Sequence, residues 1–362
     1  MYKSLQACRA FAALAVVVYH LGGALSMDKY FGPSFLTTLT HFGRHGVEFF
    51  FALSGFIIVF AHYDDVGQTT RLRRYLYKRL TRIYPPYWVA FLGVVLVARV
   101  FPPTYSAVVP DDNWLILRAL FLVPHDPTTG IQTTSPVLAV GWSLQYEMLF
   151  YLVFALFILH RHLGYSLVAG LVALHFWPHS GAGFALSFVQ AHWLLIFAMG
   201  AVVAIYVKRS PAWSRSPATL CAAAGSAILI GLCGMDVWGC DLSPVYFGLA
   251  SSLTILGLVK LEDLGIVWGA GPTLQLLGAA SYSIYLTHFP AISGLCTAAA
   301  RLASRSVATA ALAGVVIATV AVAGGVLFHW WVEAPLLRLL SLRRVPRVGE
   351  FPIHAPAQAL KE

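Results

Sequence analysis

The chain has 362 residues, of which 59% are hydrophobic and only 11% are charged, and its mean hydropathy is +0.74. Soluble domains carry about 25% charged residues, so this composition excludes a soluble globular protein and indicates one that crosses a lipid bilayer several times. The formal net charge is +9, and the basic residues cluster in short loops between apolar segments. The positive-inside rule accounts for such a distribution, and we therefore predict no nucleic-acid partner.

Ten apolar segments approach the roughly 17–25 residues that a helix needs to cross a bilayer. The pattern predicts an all-α polytopic membrane protein with about ten transmembrane helices. The predicted spans are 7–27, 46–63, 83–101, 141–160, 164–178, 185–207, 217–235, 244–260, 272–292 and 307–332. We predict a single transmembrane domain over residues 1–340. A short, disordered cytoplasmic tail is expected over residues 341–362, because this segment is rich in proline.

The distribution of basic residues predicts the orientation of these helices. The loop 64–82 is the most basic connection, so we expect it to be cytoplasmic. Its basic residues are Arg71, Arg73, Arg74, Lys78, Arg79 and Arg82. With ten spans, both termini then lie in the cytoplasm.

Arg9 and His20 lie eleven residues apart in the first predicted helix, which corresponds to about 16 Å along a helix axis. The spacing predicts a cation at the cytoplasmic edge and an imidazole about half a bilayer deeper. Because ionisable residues inside membrane helices are costly, His20 is a candidate catalytic base. Two simpler interpretations stay open. Arg9 can be an anchor whose side chain snorkels to the surface, and His20 can be a polar contact between helices.

Glu48 begins the second predicted helix, in the segment GVEFFFALSGF (46–56). It is expected in the outer half of the membrane, within reach of His20. A carboxylate commonly orients a histidine base, so we predict that Glu48 pairs with His20. The alternative is an acidic residue that interacts favourably with the N-terminus of its own helix.

Arg79 and Arg82 precede the third predicted span, in the segment YKRLTRIYPPYW (77–88). Their i, i+3 spacing places them on the same face of a helix. Paired guanidinium groups can clamp phosphates through charge-assisted hydrogen bonds. Ordinary positive-inside charge is the alternative interpretation.

Four further residues are candidates for substrate binding or for support of the site. Glu147 lies about two turns inside the fourth predicted helix, where a carboxylate needs a partner. Tyr285 and His288 share a face of the ninth helix, although His288 can equally be an interfacial histidine. Glu333 ends the last helix on the cytoplasmic side, where a salt bridge with loop arginines is its simplest role.

The histidine and cysteine patterns predict no metal site. His175 and His179 stand four residues apart, but a metal would need more ligands. Cys233 and Cys240 flank a predicted outer loop. They either pair in an oxidising compartment or remain thiols that pack as small apolar residues.

Six short motifs follow one another along nearly the whole chain, from Leu5 to about Pro335. They are LQACRAFAALAVVVYH with Arg9 and His20 in an R-x10-H pattern, FFFALSGFII, the R-x-x-R pair of Arg79 and Arg82, GWSLQYE, SYSIYLTHFP and WVEAP. Each motif is weak by itself. Together, and in this order, they resemble the membrane acyltransferase-3 family.

This resemblance implies a core of ten helices that transfers an acyl group, commonly acetyl, from cytoplasmic acyl-CoA to an extracytoplasmic acceptor. By the resemblance, His20 is the catalytic histidine. Arg9, Arg79 and Arg82 then serve donor binding or shape the donor site. It also implies a location in the bacterial inner (plasma) membrane, and acyl-CoA as a donor substrate with no metal cofactor.

The chain departs from the family pattern in two ways. Glu48 stands where the family often has aspartate, and the longer side chain shifts the carboxylate relative to His20. The hydrolase-like C-terminal domain of some members is not expected here. The stand-alone form is most similar to exopolysaccharide or sugar O-acetyltransferases, whereas macrolide-modifying and lipid-modifying members have similar cores.

Several alternatives stay open at this level. Transfer can be direct, with His20 as general base, or can pass through an acyl-histidine intermediate. A transporter or flippase for a glycan or lipid, and a structural partner of a polysaccharide synthesis complex, are the competing classes of function. We expect a carbohydrate acceptor and contact with the bilayer. A homo-oligomer and an association with the polysaccharide synthesis machinery both remain open.

Overall fold

A computed structural model of the protein describes residues 2–100, 109–129, 133–177, 183–302 and 306–342. Within these ranges the chain is helical and contains no β-strand, which confirms the predicted all-α class. Residues 343–362, nearly all of the predicted tail, lie outside the described part of the chain.

The α-helices are numbered here in chain order. They are α1 (Lys3–Leu25), α2 (Leu36–Thr40), α3 (Gly46–His62), α4 (Leu72–Val100), α5 (Asn113–Leu120), α6 (Gly141–Leu159), α7 (Arg161–His175), α8 (Phe184–Gln190), α9 (Trp193–Arg209), α10 (Arg215–Val237), α11 (Pro244–Asp263), α12 (Pro272–Ala279), α13 (Ser281–Leu302), α14 (Val307–Phe328) and α15 (Ala334–Leu342). A turn of π-helix over His329–Glu333 joins α14 to α15.

In the described ranges, eight helical segments are long and apolar enough to cross a bilayer. They are Lys3–Leu25, Leu36–Asp65, Thr69–Val100, Gly141–Leu159, Phe184–Arg209, Arg215–Val237, Pro244–Asp263 and Val307–Ser341. The predicted fifth span corresponds to α7, which has 15 residues, and the ninth corresponds to α12 and the more polar α13. The polytopic architecture is confirmed, and the count of ten stays a prediction.

Helix α1 lies inside the bundle and contacts α3, α11, α12, α13 and α14. Its buried face is rich in alanine and valine, and Ala7, Ala10 and Val16 have no exposed surface. Small side chains let neighbouring helices approach closely. Arg9 contacts Ser281 and His20 contacts His288, so α1 and α13 run in the same direction. This pairing positions both predicted functional residues of α1.

The closest helix crossing joins α3 to α9. A Cβ atom at Gly55 would collide with the Phe197 carbonyl oxygen, and one at Gly200 would collide with the Ala52 carbonyl oxygen. Only glycine lets two helix backbones approach this closely. The crossing holds the aromatic N-terminal half of α3 against the rest of the core.

Helix α4 begins eleven residues earlier than the predicted third span, at Leu72. Pro85 and Pro86 therefore lie inside the helix rather than at its entrance. Proline removes a backbone hydrogen bond to the residue four positions earlier, so the carbonyls of Thr81 and Arg82 lose their usual partners. The additional N-terminal turns of α4 contain Arg79 and Arg82, so both arginines are helical residues.

All five cysteines are free thiols in the structure. Cys233 is half-buried in α10, whereas Cys240 is exposed in the loop that follows it. Neither forms the disulfide that was one of the two alternatives for this pair.

Candidate active site

The predicted arginines line one cavity. Arg9 from α1 and Arg79 and Arg82 from α4 face a space of about 140 Å³, which we call the arginine cavity. Glu147 from α6 and Tyr285 from α13 also line it. The structure thus brings together five of the nine residues that the sequence nominated. Three guanidinium groups around one small space make it a candidate anion site.

Arg82 is held by a buried carboxylate. Its Nη1 atom donates a hydrogen bond of 2.5 Å to Oε1 of Glu333, which has no exposed surface. The other oxygen of Glu333 accepts hydrogen bonds from Ser283 Oγ at 2.6 Å and from His329 Nδ1 at 2.8 Å. The π-helical turn, a feature frequent at functional sites, carries both His329 and Glu333. Glu333 therefore fixes the position of Arg82 at the cavity.

Arg79 is held differently, by a histidine at the end of α3. Its Nη2 atom lies 2.8 Å from His62 Nε2, and His62 Nδ1 lies 2.7 Å from Asp65 Oδ2. Because Nδ1 donates to this carboxylate in the neutral ring, Nε2 accepts from Arg79. The Nε atom of Arg79 is buried and has no hydrogen-bond partner among the described residues. A buried guanidinium donor without an acceptor is rare, and it suits an anionic ligand.

Glu147 and Tyr285 are both fixed by hydroxyl contacts. Tyr151 donates its hydroxyl proton to Glu147 Oε1 over 2.5 Å. The Tyr285 hydroxyl lies 2.7 Å from Ser143 Oγ and donates to the Val140 carbonyl at 3.2 Å. These contacts tie α6 to α13 beside the cavity.

His20 and His288 form a hydrogen-bonded pair between α1 and α13. His288 Nδ1 lies 3.0 Å from the Ile284 carbonyl oxygen, which only an N–H group can approach as a donor. In the neutral ring, His288 Nε2 is then an acceptor, and it lies 3.2 Å from His20 Nδ1. His20 Nδ1 is also 3.2 Å from the Val16 carbonyl. These contacts assign the proton of His20 to Nδ1 and the lone pair to Nε2.

A second cavity, of about 280 Å³, lies beside His20. We call it the histidine cavity. It is lined by Tyr19, His20, Gly23, Ala24, Met27, Tyr30, Thr37, His41, Phe289, Ile292 and Ser293. None of these residues lines the arginine cavity. His288 connects the two spaces, because its ring contacts both His20 and Tyr285.

The predicted pairing of Glu48 with His20 is wrong. Glu48 is buried, and its Oε1 atom lies 3.2 Å from Nδ1 of His45, one turn earlier in the chain. His45 in turn contacts Asp236 of α10 at 3.1 Å. The rotation of α3 directs the Glu48 side chain towards α10, so His288 occupies the place that we expected Glu48 to take.

The acyltransferase domain family model matches residues 2–330, which is most of the chain. The chain belongs to the acyltransferase-3 family. It is an O-acyltransferase and an integral membrane protein, in agreement with its apolar helices.

Three named proteins are similar to this acyltransferase-3 protein. The exopolysaccharide production protein ExoZ of Rhizobium meliloti is 33% identical, over 84% of this chain and 92% of its own. The acyltransferase MdmB of Streptomyces mycarofaciens is 30% identical, over 94% of this chain and 93% of its own. The peptidoglycan O-acetyltransferase OatA of Listeria monocytogenes is 24% identical, over 80% of this chain and 49% of its own. No solved structure matches this acyltransferase.

Sequence reasoning missed two groups of residues in this acyltransferase. His62 and Asp65 share the i, i+3 spacing of a helix end, which is a weak but readable signal. His41 and Asp236 are 195 positions apart, and no sequence pattern connects them. His62 and Asp65 act through Arg79, which lines the arginine cavity, and Asp236 acts through His41, which lines the histidine cavity. Only the packing of the helices reveals these contacts.

Proposed function

We propose that this acyltransferase moves an acyl group, most simply acetyl, from cytoplasmic acyl-CoA to a hydroxyl of an extracytoplasmic carbohydrate. One observation carries the proposal: His20 lines one cavity, and its partner His288 contacts Tyr285 on the wall of a second cavity, which holds three arginines. A donor and an acceptor that arrive from opposite sides would meet at this pair. ExoZ, by its name an exopolysaccharide production protein, favours a carbohydrate acceptor.

The arginine cavity suits the anionic donor. Arg79 offers a buried N–H group that has no acceptor in the described part of the chain, and Arg9 and Arg82 add two further cations. At about 140 Å³ the cavity is smaller than the roughly 300–1,000 Å³ of pockets that enclose whole ligands. It therefore takes the thin acyl-pantetheine arm, while the arginines hold phosphate oxygens at its entrance. Glu147 and Glu333 balance the positive charge, which keeps the site stable without a ligand.

The chemical step is a direct transfer. His20 Nε2 removes the proton from the acceptor hydroxyl, and the alkoxide oxygen attacks the thioester carbonyl carbon. The C–S bond then breaks, and the departing thiolate takes the proton from the His20 imidazolium to give CoA-SH. General-base catalysis of this kind contributes about 10²–10⁴-fold. The hydrogen bond to His288 keeps His20 in the tautomer that this step needs.

The topology follows from the same assignment. The arginine cavity opens towards the cytoplasm and the histidine cavity towards the outside of the bacterial inner membrane, and both termini lie in the cytoplasm. Polysaccharide synthesis enzymes deliver the acceptor glycans, and the protein associates with these enzymes as a monomer or as a homo-oligomer. The positive loop 64–82 supports this orientation.

The decisive experiment measures acetyl transfer by purified protein in lipid nanodiscs. Radiolabelled acetyl-CoA is the donor, and glycan fragments from the producing cell are the acceptors. We expect His20→Gln to reduce transfer by at least about 10²-fold, with the affinity for acetyl-CoA unchanged. We expect Arg79→Ala to weaken acetyl-CoA binding.

His162→Gln is the matched control, because His162 is exposed on α7 and lines neither cavity. It should transfer acetyl groups at the wild-type rate. Normal glycan acetylation by correctly inserted His20→Gln protein would contradict the proposed function.

A further inference from the structure

His41 lies on the histidine cavity together with His20. The Tyr19 ring packs edge-on against both imidazoles, with centroid distances of 5.1 Å to His20 and 5.9 Å to His41. The acyl-transfer step uses only one of these two imidazoles. The second one stands in the same space with no role yet assigned to it.

Asp236 fixes the orientation of His41. The Asp236 side chain is only 3% exposed, and its Oδ2 atom lies 2.8 Å from His41 Nδ1. A carboxylate can only accept here, so the Nδ1 atom of His41 donates, and Nε2 of the neutral ring keeps its lone pair. Arg44 Nη2 donates to Oδ1 at 2.6 Å and balances the buried charge. Asp236 thus holds the ring of His41 as aspartate holds many functional imidazoles.

The remaining wall of the cavity combines polar and apolar groups. Tyr19, Tyr30, Thr37 and Ser293 bring hydroxyl-bearing side chains, while Phe289 and Ile292 are apolar. Ligand sites typically combine apolar surface with a few placed polar groups. At about 280 Å³ the cavity is at the lower end of such sites, which suits one sugar unit rather than a long glycan.

We infer that His41 binds a second hydroxyl of the acceptor, next to the hydroxyl that His20 deprotonates. The inference rests on the proposed function. Two imidazole acceptors on one small cavity match a ligand that offers two neighbouring O–H donors. The site therefore selects a vicinal diol of a sugar ring over an isolated alcohol, and the His41–Asp236 pair provides this selectivity.

The experiment compares acceptors that differ by one hydroxyl. The probes are methyl β-D-glucopyranoside and its 2-, 3-, 4- and 6-deoxy analogues, with acetyl-CoA as the donor. Loss of one hydrogen bond to a fixed partner corresponds to about tenfold to a hundredfold in kcat/KM. For the wild type we expect one deoxy analogue to show this loss. In His41→Ala, kcat/KM for the parent glycoside should fall by the same factor. The same variant should show no further loss of kcat/KM with that analogue, and its KM for acetyl-CoA should equal that of the wild type.

His162→Gln is again the control, because His162 is an exposed histidine of α7 that lines neither cavity and does not contact Asp236. It should keep the wild-type ratio of kcat/KM for the parent glycoside to kcat/KM for the deoxy glycoside. Asp236→Asn should lower this ratio. A His41→Ala protein with the wild-type ratio would overturn the inference while leaving the transferase function intact.

Direct binding separates the two proposals. Equilibrium binding of the same glycosides to wild-type and His41→Ala protein needs no transfer of an acyl group. Two results support the inference even if no acetyl transfer occurs. The parent glycoside binds more weakly to His41→Ala than to the wild type, and only the wild type binds the parent more tightly than the deoxy analogue. Equal binding by both proteins, or no binding by the wild type, overturns it.

Discussion

At the residue scale, a backbone carbonyl controls the candidate base. The Ile284 carbonyl fixes the tautomer of His288, and His288 fixes that of His20. A carboxylate partner would add a charge inside the membrane, where ionisable groups are expensive. A neutral imidazole orients His20 without that cost. The Glu48 carboxylate, which we expected in this role, contacts His45 instead.

The first prediction concerns His288. We expect His288→Ala to lower kcat about tenfold, because one orienting hydrogen bond of roughly 1.4 kcal/mol is lost, while the KM for acetyl-CoA stays unchanged. His288→Gln should restore part of the rate, since its carbonyl oxygen can accept from His20 Nδ1. The double variant with His20→Gln should be no slower than His20→Gln alone. Additive losses, measured by steady-state kinetics, would show that His288 acts independently of His20.

At the element scale, the α3–α9 crossing positions an aromatic wall of the arginine cavity. Phe50 and Phe51 of α3 both line the arginine cavity, and Phe50 also packs against the hydrophobic cluster around α1 and α13. Gly55, in the FFFALSGFII motif, lies at this crossing, where a Cβ atom would collide with the Phe197 carbonyl oxygen. The partner glycine, Gly200, could not be identified from the sequence because glycine is common in membrane helices.

The second prediction tests this crossing. Gly200→Ala places a methyl group against the Ala52 carbonyl, and overpacking of this kind costs about 1–3 kcal/mol. We expect a lower thermal unfolding midpoint in detergent. Gly231→Ala in α10 is the control, because a Cβ atom there would meet no atom of the described residues within 4 Å. Equal midpoints for the two variants would mean that the crossing relaxes without cost.

At the scale of the whole molecule, the parallel course of α1 and α13 constrains the topology. Six of the eight membrane-spanning candidates lie between these two helices. Six crossings would leave α13 antiparallel to α1, whereas the Arg9–Ser281 and His20–His288 contacts require it to be parallel. One further crossing is needed, and α7 is placed to provide it. This reasoning supports the prediction of ten helices.

The third prediction tests α7 directly. Arg161 and Trp177 flank this helix, and both side chains are exposed. In a chain without native cysteines, Arg161→Cys should react with an impermeant maleimide only after the cells are opened. Trp177→Cys, like Cys240 restored at its own position, should react in intact spheroplasts. Labelling of both flanks from the same side would exclude a crossing by α7 and the count of ten with it.

The sequence by itself determined the class of protein and most of the parts. Hydropathy requires a helical membrane protein, because a bilayer leaves few ways to satisfy the backbone. Local spacing also placed Arg79 and Arg82 on one helix face, and they do line one cavity. Both results depend on residues close together in the chain, where helix geometry is enough.

Only the tertiary structure decided which side chains meet. His20 and His288 are 268 positions apart, and His41 and Asp236 are 195 apart. Their contacts depend on how far each helix is rotated and where it crosses its neighbours, and close packing of small residues along entire helices sets both. A rotation of one residue corresponds to about 100° around a helix, which is enough to turn a side chain such as that of Glu48 towards a different neighbour. No local pattern in the sequence specifies that angle.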